Sequence, residues 1–167
     1  RGTYTSMARN KRSNRKAELG LMDLELLSVL AQAQIAYPAE ELDRIWKKVL
    51  INQFHDILPG SSIHEVYEVT KEEYATLQKE IKALEEERLR ALVEDGEGIT
   101  IFNTTGHDRS DIVELGEVNA DALKDTDGKL YPIQKTAEGA VAYVRHLPSK
   151  GYKTFAAVST DAGQTTP

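Results

Sequence analysis

The chain has 167 residues, 40% of them hydrophobic and 29% charged, which suits one ordinary folded domain or two small ones and excludes wholesale disorder. No apolar run approaches the ~20 residues needed to cross a bilayer, and the absence of cysteine excludes a disulfide framework, a thiolate metal site and a cysteine nucleophile together. A formal net charge of -6 argues against a general nucleic-acid surface, which needs clustered Lys and Arg to displace counterions.

The N-terminal stretch is a local exception. Arg1, Arg9, Lys11, Arg12, Arg15 and Lys16 all precede the first acid, Glu18. A solvated basic lead-in to a helix is the favoured reading, with a phosphate- or carboxylate-binding role as the alternative. No apolar h-region follows the basic start, so no signal peptide is visible. The opening Arg in place of Met suggests a processed protein or an excised segment.

Helical periodicity comes next. Leu19, Met22, Leu26, Leu30 and Ala33 recur at spacings of three and four, which predicts one buried helical face. Tyr37-Pro38 ends that helix, because proline pushes its predecessor out of the α region. A second helix follows Pro38 with Glu40 and Glu41 in its first turn, where the helix dipole favours acids. Its apolar set is Leu42, Ile45, Trp46, Val49, Leu50 and Phe54, and Pro59-Gly60 terminates it. Ser62 to Glu65 reads as a capping box opening a third helix, in which Ile63, Val66, Thr70, Tyr74, Leu77, Ile81 and Leu84 keep the spacing. That helix carries a crowded, solvated charged face and fades near Glu94. Three helices with short connections predict an antiparallel three-helix bundle.

After Gly98 the period becomes two. Strands are predicted over 99–103, 110–115, 129–133, 141–145 and 152–158, separated by Gly- and Pro-containing turns. The fold class is therefore α then β: the bundle, followed by an incomplete antiparallel β-sandwich segment. About five short strands do not cover both faces of a sandwich, so the chain is expected to be part of a larger protein.

The segment that carries chemistry is Asn52-Gln53-Phe54-His55-Asp56-Ile57-Leu58-Pro59-Gly60-Ser61-Ser62. His55 and Asp56 at a helix end can supply a metal ligand and a hydroxyl-binding acceptor to one site. Equally, His55 can cap its own helix, where a cation is favoured, with Asp56 simply exposed. A single His is not a metal site, since divalent sites need three or more protein ligands. His64 is placed in a capping turn facing solvent, and His107 and His146 show no ligand spacing. No phosphate loop, serine elbow or HExxH is present, and no carboxylates are placed as an acid/base pair.

The stretch Ile51 to Ile63 closely resembles the middle-domain signature of the family 38 glycoside hydrolases, the class II α-mannosidases. Arg1-Gly2-Thr3-Tyr4-Thr5-Ser6, Asn10-Lys11 and Asn14-Arg15-Lys16-Ala17-Glu18 resemble that family's passage from catalytic domain to helical bundle. Phe102-Asn103 to Arg109 and Leu147 to Tyr152 are similar, more weakly, to its opening C-terminal strands. The resemblance implies residues 1–13 as a lead-in from a catalytic domain outside the chain, 14–96 as the middle domain, and 97–167 as the first strands of the β domain. It implies a retaining α-mannosidase acting on mannose-containing oligosaccharides, with an Asp nucleophile, a separate acid and a divalent metal, usually zinc.

By residue correspondence His55 becomes a metal ligand and Asp56 accepts hydrogen bonds from the reacting sugar. The nucleophile, the acid and the other metal ligands have no counterpart in these residues, so the chain is expected to be inactive alone and to partner its own catalytic domain. Phe54 before the metal His matches the cytosolic, vacuolar and bacterial branch, which implies a cytoplasmic setting. Met7 departs from the polar residue more usual at its position. A homo-oligomer is left open. A helical interaction module and a non-catalytic carbohydrate-binding segment stand as the alternatives.

Overall fold

The computed structural model describes residues 5–93, 96 and 98–159. The chain divides into two compact units, Arg1–Glu94 and Asp95–Pro167. The first unit contains helices α1 (Ala8–Ala31), α2 (Ala39–Asn52) and α3 (His64–Leu92). The second contains strands β1 (Gly98–Asn103), β2 (Arg109–Gly116), β3 (Ala122–Lys124), β4 (Leu130–Thr136), β5 (Gly139–Leu147) and β6 (Gly151–Val158).

The helical core is built from Ala17, Leu21 and Leu24 of α1, Leu42, Ile45 and Val49 of α2, and Tyr74, Leu77 and Ile81 of α3. On α1 this is not the predicted face. Ala17, Leu21, Leu24, Ser28 and Ala31 are buried, whereas Leu19, Met22 and Leu30 are exposed. Both sets keep a helical spacing, so periodicity alone does not choose between them. Gly20 helps to decide: a Cβ there would come within 2.9 Å of Ile81 Cγ2. The missing side chain lets α3 close on that side of α1.

Leu50 and Phe54, predicted with the α2 core, are also exposed. Both lie at or beyond the end of a helix that stops at Asn52, short of the Pro59-Gly60 break. The capping box does not form. Helix α3 begins at His64, so Ile63 takes the N-cap position and Ser62 falls one residue too early. The Ser62 N–H donates instead to the Tyr67 hydroxyl at 2.9 Å. Across the outer surface Arg44 pairs with Glu80 at 2.8 Å and Lys48 with Glu73 at 2.7 Å, fastening α2 to α3. Each such exposed pair contributes at most about 1 kcal/mol.

Closing α3 on Gly20 also brings a carboxylate into the interface. Burial, reinforced by the Asp23 and Glu86 charges and opposed by Lys82, pushes Glu85 up to about 7. The folded unit therefore takes up a proton between the unfolded carboxyl value and about 7. Its contribution to stability is complete below the unfolded value and is lost as pH rises through 7. Thermal melts followed by helical circular dichroism should show the first unit more stable at pH 5 than at pH 8. Glu85→Gln should flatten that slope and raise the melting temperature at pH 8.

In the second unit the predicted period-two segments all become strands, and no helix occurs after Gly98 among the described residues. A sixth strand, β3, was not predicted. Ala-Leu-Lys is too short to show alternation and has no β-branched residue; it is a strand because β4 and β6 flank it. The sheet is antiparallel throughout, in the order β1-β6-β3-β4-β5-β2. Ile101, Leu123, Tyr131, Ala142, Val144, Leu147 and Phe155 form its core, with Val113 of β2 packed against them. All six strands turn one face to that core, so the sheet curls around it.

Asn103 ties the curl at one end. Its side chain is 4% exposed, and its Nδ2 donates to the carbonyls of His107, Leu147 and Pro148 at 2.9, 3.2 and 3.0 Å. Its Oδ1 accepts from the Thr105 N–H at 3.1 Å and the Thr105 hydroxyl at 2.6 Å. One buried amide thereby joins the β1–β2 connection to the β5–β6 turn, the two places of the weaker C-terminal resemblance.

Candidate functional site

The loop after α2 is fixed almost entirely through its backbone. Tyr67, 4% exposed on α3, donates its hydroxyl hydrogen to the Asp56 and Ile57 carbonyls at 3.1 and 3.3 Å while accepting from Ser62. From α1, Asn10 Nδ2 donates to the Ile57 carbonyl at 3.2 Å. Lys11 Nζ donates to the Pro59 carbonyl at 3.0 Å and to the Ser6 carbonyl at 2.5 Å. Gly60 takes φ +98°, and a Cβ there would meet Ser6 Cβ at 2.7 Å, so only glycine permits the close approach.

Behind the loop a polar network locks the helix ends. Gln53 Nε2 donates to Glu18 Oε1 at 2.8 Å and to Asn14 Oδ1 at 3.1 Å. Asn14 Oδ1 also accepts from the Tyr74 hydroxyl at 3.0 Å. Burial, with the Glu18 and Glu73 charges nearby, raises the Tyr74 hydroxyl well above its ordinary value, so it remains a neutral donor. Asn52, 2% exposed, donates to Glu73 Oε2 at 3.0 Å. Burial pushes Glu73 up, but the hydrogen bonds from Lys48 and Asn52 and the Lys48 charge outweigh it, so the carboxyl sits below its ordinary value.

The residues of the Asn10–Glu18 block and those of the Ile51–Ile63 block thus meet in space. Lys11 is committed to the Pro59 and Ser6 carbonyls, and Arg15 forms an exposed pair with Glu18 one turn away at 3.1 Å. Met7, the departure noted in the sequence, is the N-cap residue of α1 in the left-handed conformation, φ 48° and ψ 48°. That conformation suits Asn or Gly better than Met.

His55 and Asp56 are what the loop presents outward. Their side chains are 74% and 57% exposed, with His55 Nε2 3.3 Å from Asp56 Oδ2. The Phe54 ring lies against the imidazole, centroids 4.1 Å apart, and is itself exposed. The Ser61 hydroxyl stands 3.5 Å from Asp56 Oδ1. His64 opens α3 and is exposed, while His107 and His146 belong to the second unit. Among the described residues no three His, Cys, Asp or Glu side chains are grouped to hold a metal ion. One exposed imidazole beside a carboxylate can serve as a single ligand of a larger centre, and the carboxylate as an acceptor for hydroxyl groups.

Sequence reasoning missed Tyr67, and no sequence signal marks it; Asn10 and Lys11 were quoted only for resemblance. Tyr67→Phe removes one hydroxyl that serves two carbonyls and one N–H. Asn10 still serves the Ile57 carbonyl, but the part-buried Asp56 carbonyl and Ser62 N–H lose this partner, at about 1 kcal/mol for each hydrogen bond, so the helical denaturation midpoint should fall. An unchanged midpoint would contradict this role.

Residues 1–92 match the family described as "Alpha mannosidase middle domain". Human alpha-mannosidase 2C1 is 40% identical over 120 residues, covering 68% of this chain and 12% of that protein. The alpha-mannosidase of Saccharomyces cerevisiae is 38% identical over 107 residues, covering 56% of this chain and 10% of that protein. Among solved structures, a glycosyl hydrolase family 38 protein from Enterococcus faecalis superposes with TM-score 0.77 at 18% identity, over 99% of this chain and 26% of that one. An alpha-mannosidase from Enterococcus faecalis gives 0.72, also at 18% identity, over 99% of this chain and 25% of that one. At that identity the structural likeness shows the fold alone, and the chain spans only about an eighth of the human relative's length. The matched residues are the helical unit that carries the loop and make up more than half of the sequence, so the chain belongs to the alpha-mannosidase middle-domain family.

Proposed function

We propose that this chain is the middle segment of a retaining, metal-dependent α-mannosidase that cleaves α-mannosidic bonds in oligosaccharides. His55 supplies one ligand to a divalent metal, zinc foremost, and Asp56 accepts hydrogen bonds from the mannose in the reacting subsite. The observation that carries the reading is the contrast within one loop. Its backbone is held by Tyr67, Asn10 and Lys11, while the side chains of His55 and Asp56, its two ionisable residues, stand side by side and open. A rigid support beneath two exposed polar groups is what a binding site needs.

When bound, the metal would supply Lewis-acid polarisation and a template for sugar hydroxyls. The residues fit that role in part: the His55 imidazole is accessible and can serve as one ligand, with Asp56 beside it free to meet a sugar hydroxyl. The remaining ligands, the nucleophile and the acid are assigned to the rest of the parent polypeptide, the chain's principal partner. The Phe54 resemblance supports a cytoplasmic setting for it.

The 167-residue chain by itself should not hydrolyse an aryl α-mannoside at any metal concentration, because neither nucleophile nor acid is placed here. Release of the aryl group by the purified chain, abolished by Asp56→Asn, would overturn the assignment.

A further inference from the structure

We propose that the groove between the first turns of α1 and the first half of α3 binds a phosphate group, carried by a phosphate monoester or present as free orthophosphate. The groove has a volume of about 240 Å³, and its walls include Arg9, Arg12 and Ser13 of α1 and Lys71 and Gln78 of α3. No Asp or Glu side chain lines it, although acids outnumber basic residues 27 to 21 in the whole chain. The local charge is thus opposite in sign to that of the protein, and a concave surface lined by one sign of charge concentrates ions of the other.

The cations at this end of α1 fall into two sets. Lys11 is held by the Pro59 and Ser6 carbonyls and Arg15 by Glu18. Arg9 and Arg12, both exposed, have no hydrogen-bond or ion-pair partner among the described residues, and the first turn of α1 contains no acid. Spaced three apart, they stand on one side of the helix. Lys71 lines the opposite wall. Its acid neighbour, Glu68, lies 3.9 Å away, beyond hydrogen-bond length, in an exposed pair. Three like charges around one hollow repel one another, and a bound anion removes that repulsion.

The groove is shaped without a ligand. At its base the Tyr74 hydroxyl donates to Asn14, the Tyr67 hydroxyl to the Asp56 and Ile57 carbonyls, and Asn10 to the Ile57 carbonyl. The donors left over are those of the walls: two guanidinium forks, one ammonium group and the Ser13 hydroxyl. That set selects phosphate over carboxylate. A phosphate monoester carries a charge of about -1.5 to -2 near pH 7 and three acceptor oxygens, and guanidinium forks bind such oxygens in pairs. A carboxylate brings a single charge to three cations.

Isothermal titration calorimetry at low salt tests the proposal, on the 167-residue chain and on the full-length parent, with inorganic phosphate, glucose 6-phosphate, glucose and acetate as probes. The expected result is saturable binding of phosphate at one site per chain. Arg9→Gln combined with Arg12→Gln should weaken it at least about tenfold, since each variant removes charge-assisted hydrogen bonds, while Lys124→Gln, altered at an exposed residue of the second unit, should leave it unchanged. The double variant should melt with the wild type in the absence of phosphate, because neither arginine has a partner to lose. Tighter binding of glucose 6-phosphate than of phosphate supports the proposal with an ester as ligand, and the reverse order supports it with free phosphate. No saturable binding of either, equal binding of acetate or glucose, or equal loss in Lys124→Gln would overturn it. So would a parent in which the double variant removes no phosphate binding. None of these readouts involves hydrolysis or His55, so the phosphate site and the proposed function fail separately.

Discussion

His55→Ala in the full-length parent is expected to lower kcat/KM by at least about 100-fold, with partial recovery when metal is added in excess. Loss of a group that merely orients a metal ligand already costs about 10- to 100-fold, and the proposal makes His55 a ligand itself. Misfolding does not account for such a loss. The imidazole is 74% exposed, lying against Phe54 and beside Asp56. The loop's attachment to Tyr67, Asn10 and Lys11 runs through backbone carbonyls that alanine retains. The variant should therefore melt with the wild-type protein while turning over far more slowly. A variant that keeps wild-type kcat/KM would remove His55 from the metal site.

Asp56→Asn is expected to cost roughly 30- to 150-fold in kcat/KM while metal content stays at the wild-type level. The substitution replaces a charged acceptor by a neutral amide of the same shape, and a charge-assisted hydrogen bond lost in this way is worth on the order of 2–3 kcal/mol. Its side chain is 57% exposed, and among the described residues its polar neighbours are the Ser61 hydroxyl at 3.5 Å and His55 at 3.3 Å. Structural damage is thus not the source of the loss. Steady-state kinetics on an aryl α-mannoside, paired with elemental analysis, separate the two variants. Equal activity of Asp56→Asn and wild type would remove the carboxylate from the sugar site.

The division into helices and strands was legible because it depends on period, and the hydrophobic period changes from about 3.6 to two near Gly98. The face of α1 was not legible. Leu19, Met22, Leu26 and Leu30 are as regularly spaced as the true core set, and the choice rests on a tertiary fact, the closeness of Ile81 to Gly20. Strand β3 is defined by its neighbours β4 and β6 rather than by its own three residues. Ser62 and Glu65 have the composition of a capping box, but the Tyr67 hydroxyl takes the Ser62 N–H and the helix starts one residue later.

At the candidate site, the sequence could show that His55 and Asp56 are unusual neighbours. It could not show what supports them. Tyr67 reaches the loop from one turn into α3, and Asn10 and Lys11 reach it across 47 and 48 residues of sequence. Only the packing of α1 and α3 brings these groups together, and that packing makes the loop rigid.

The central claim is that His55, and no other histidine of this chain, binds the metal. Metal stoichiometry of the purified full-length parent, measured by elemental analysis for wild type, His55→Ala and His64→Ala, tests it most directly. The account predicts that His55→Ala loses most of its metal after dialysis while His64→Ala, altered at an exposed helix start, retains the wild-type content. Full metal in His55→Ala together with loss in His64→Ala would contradict it.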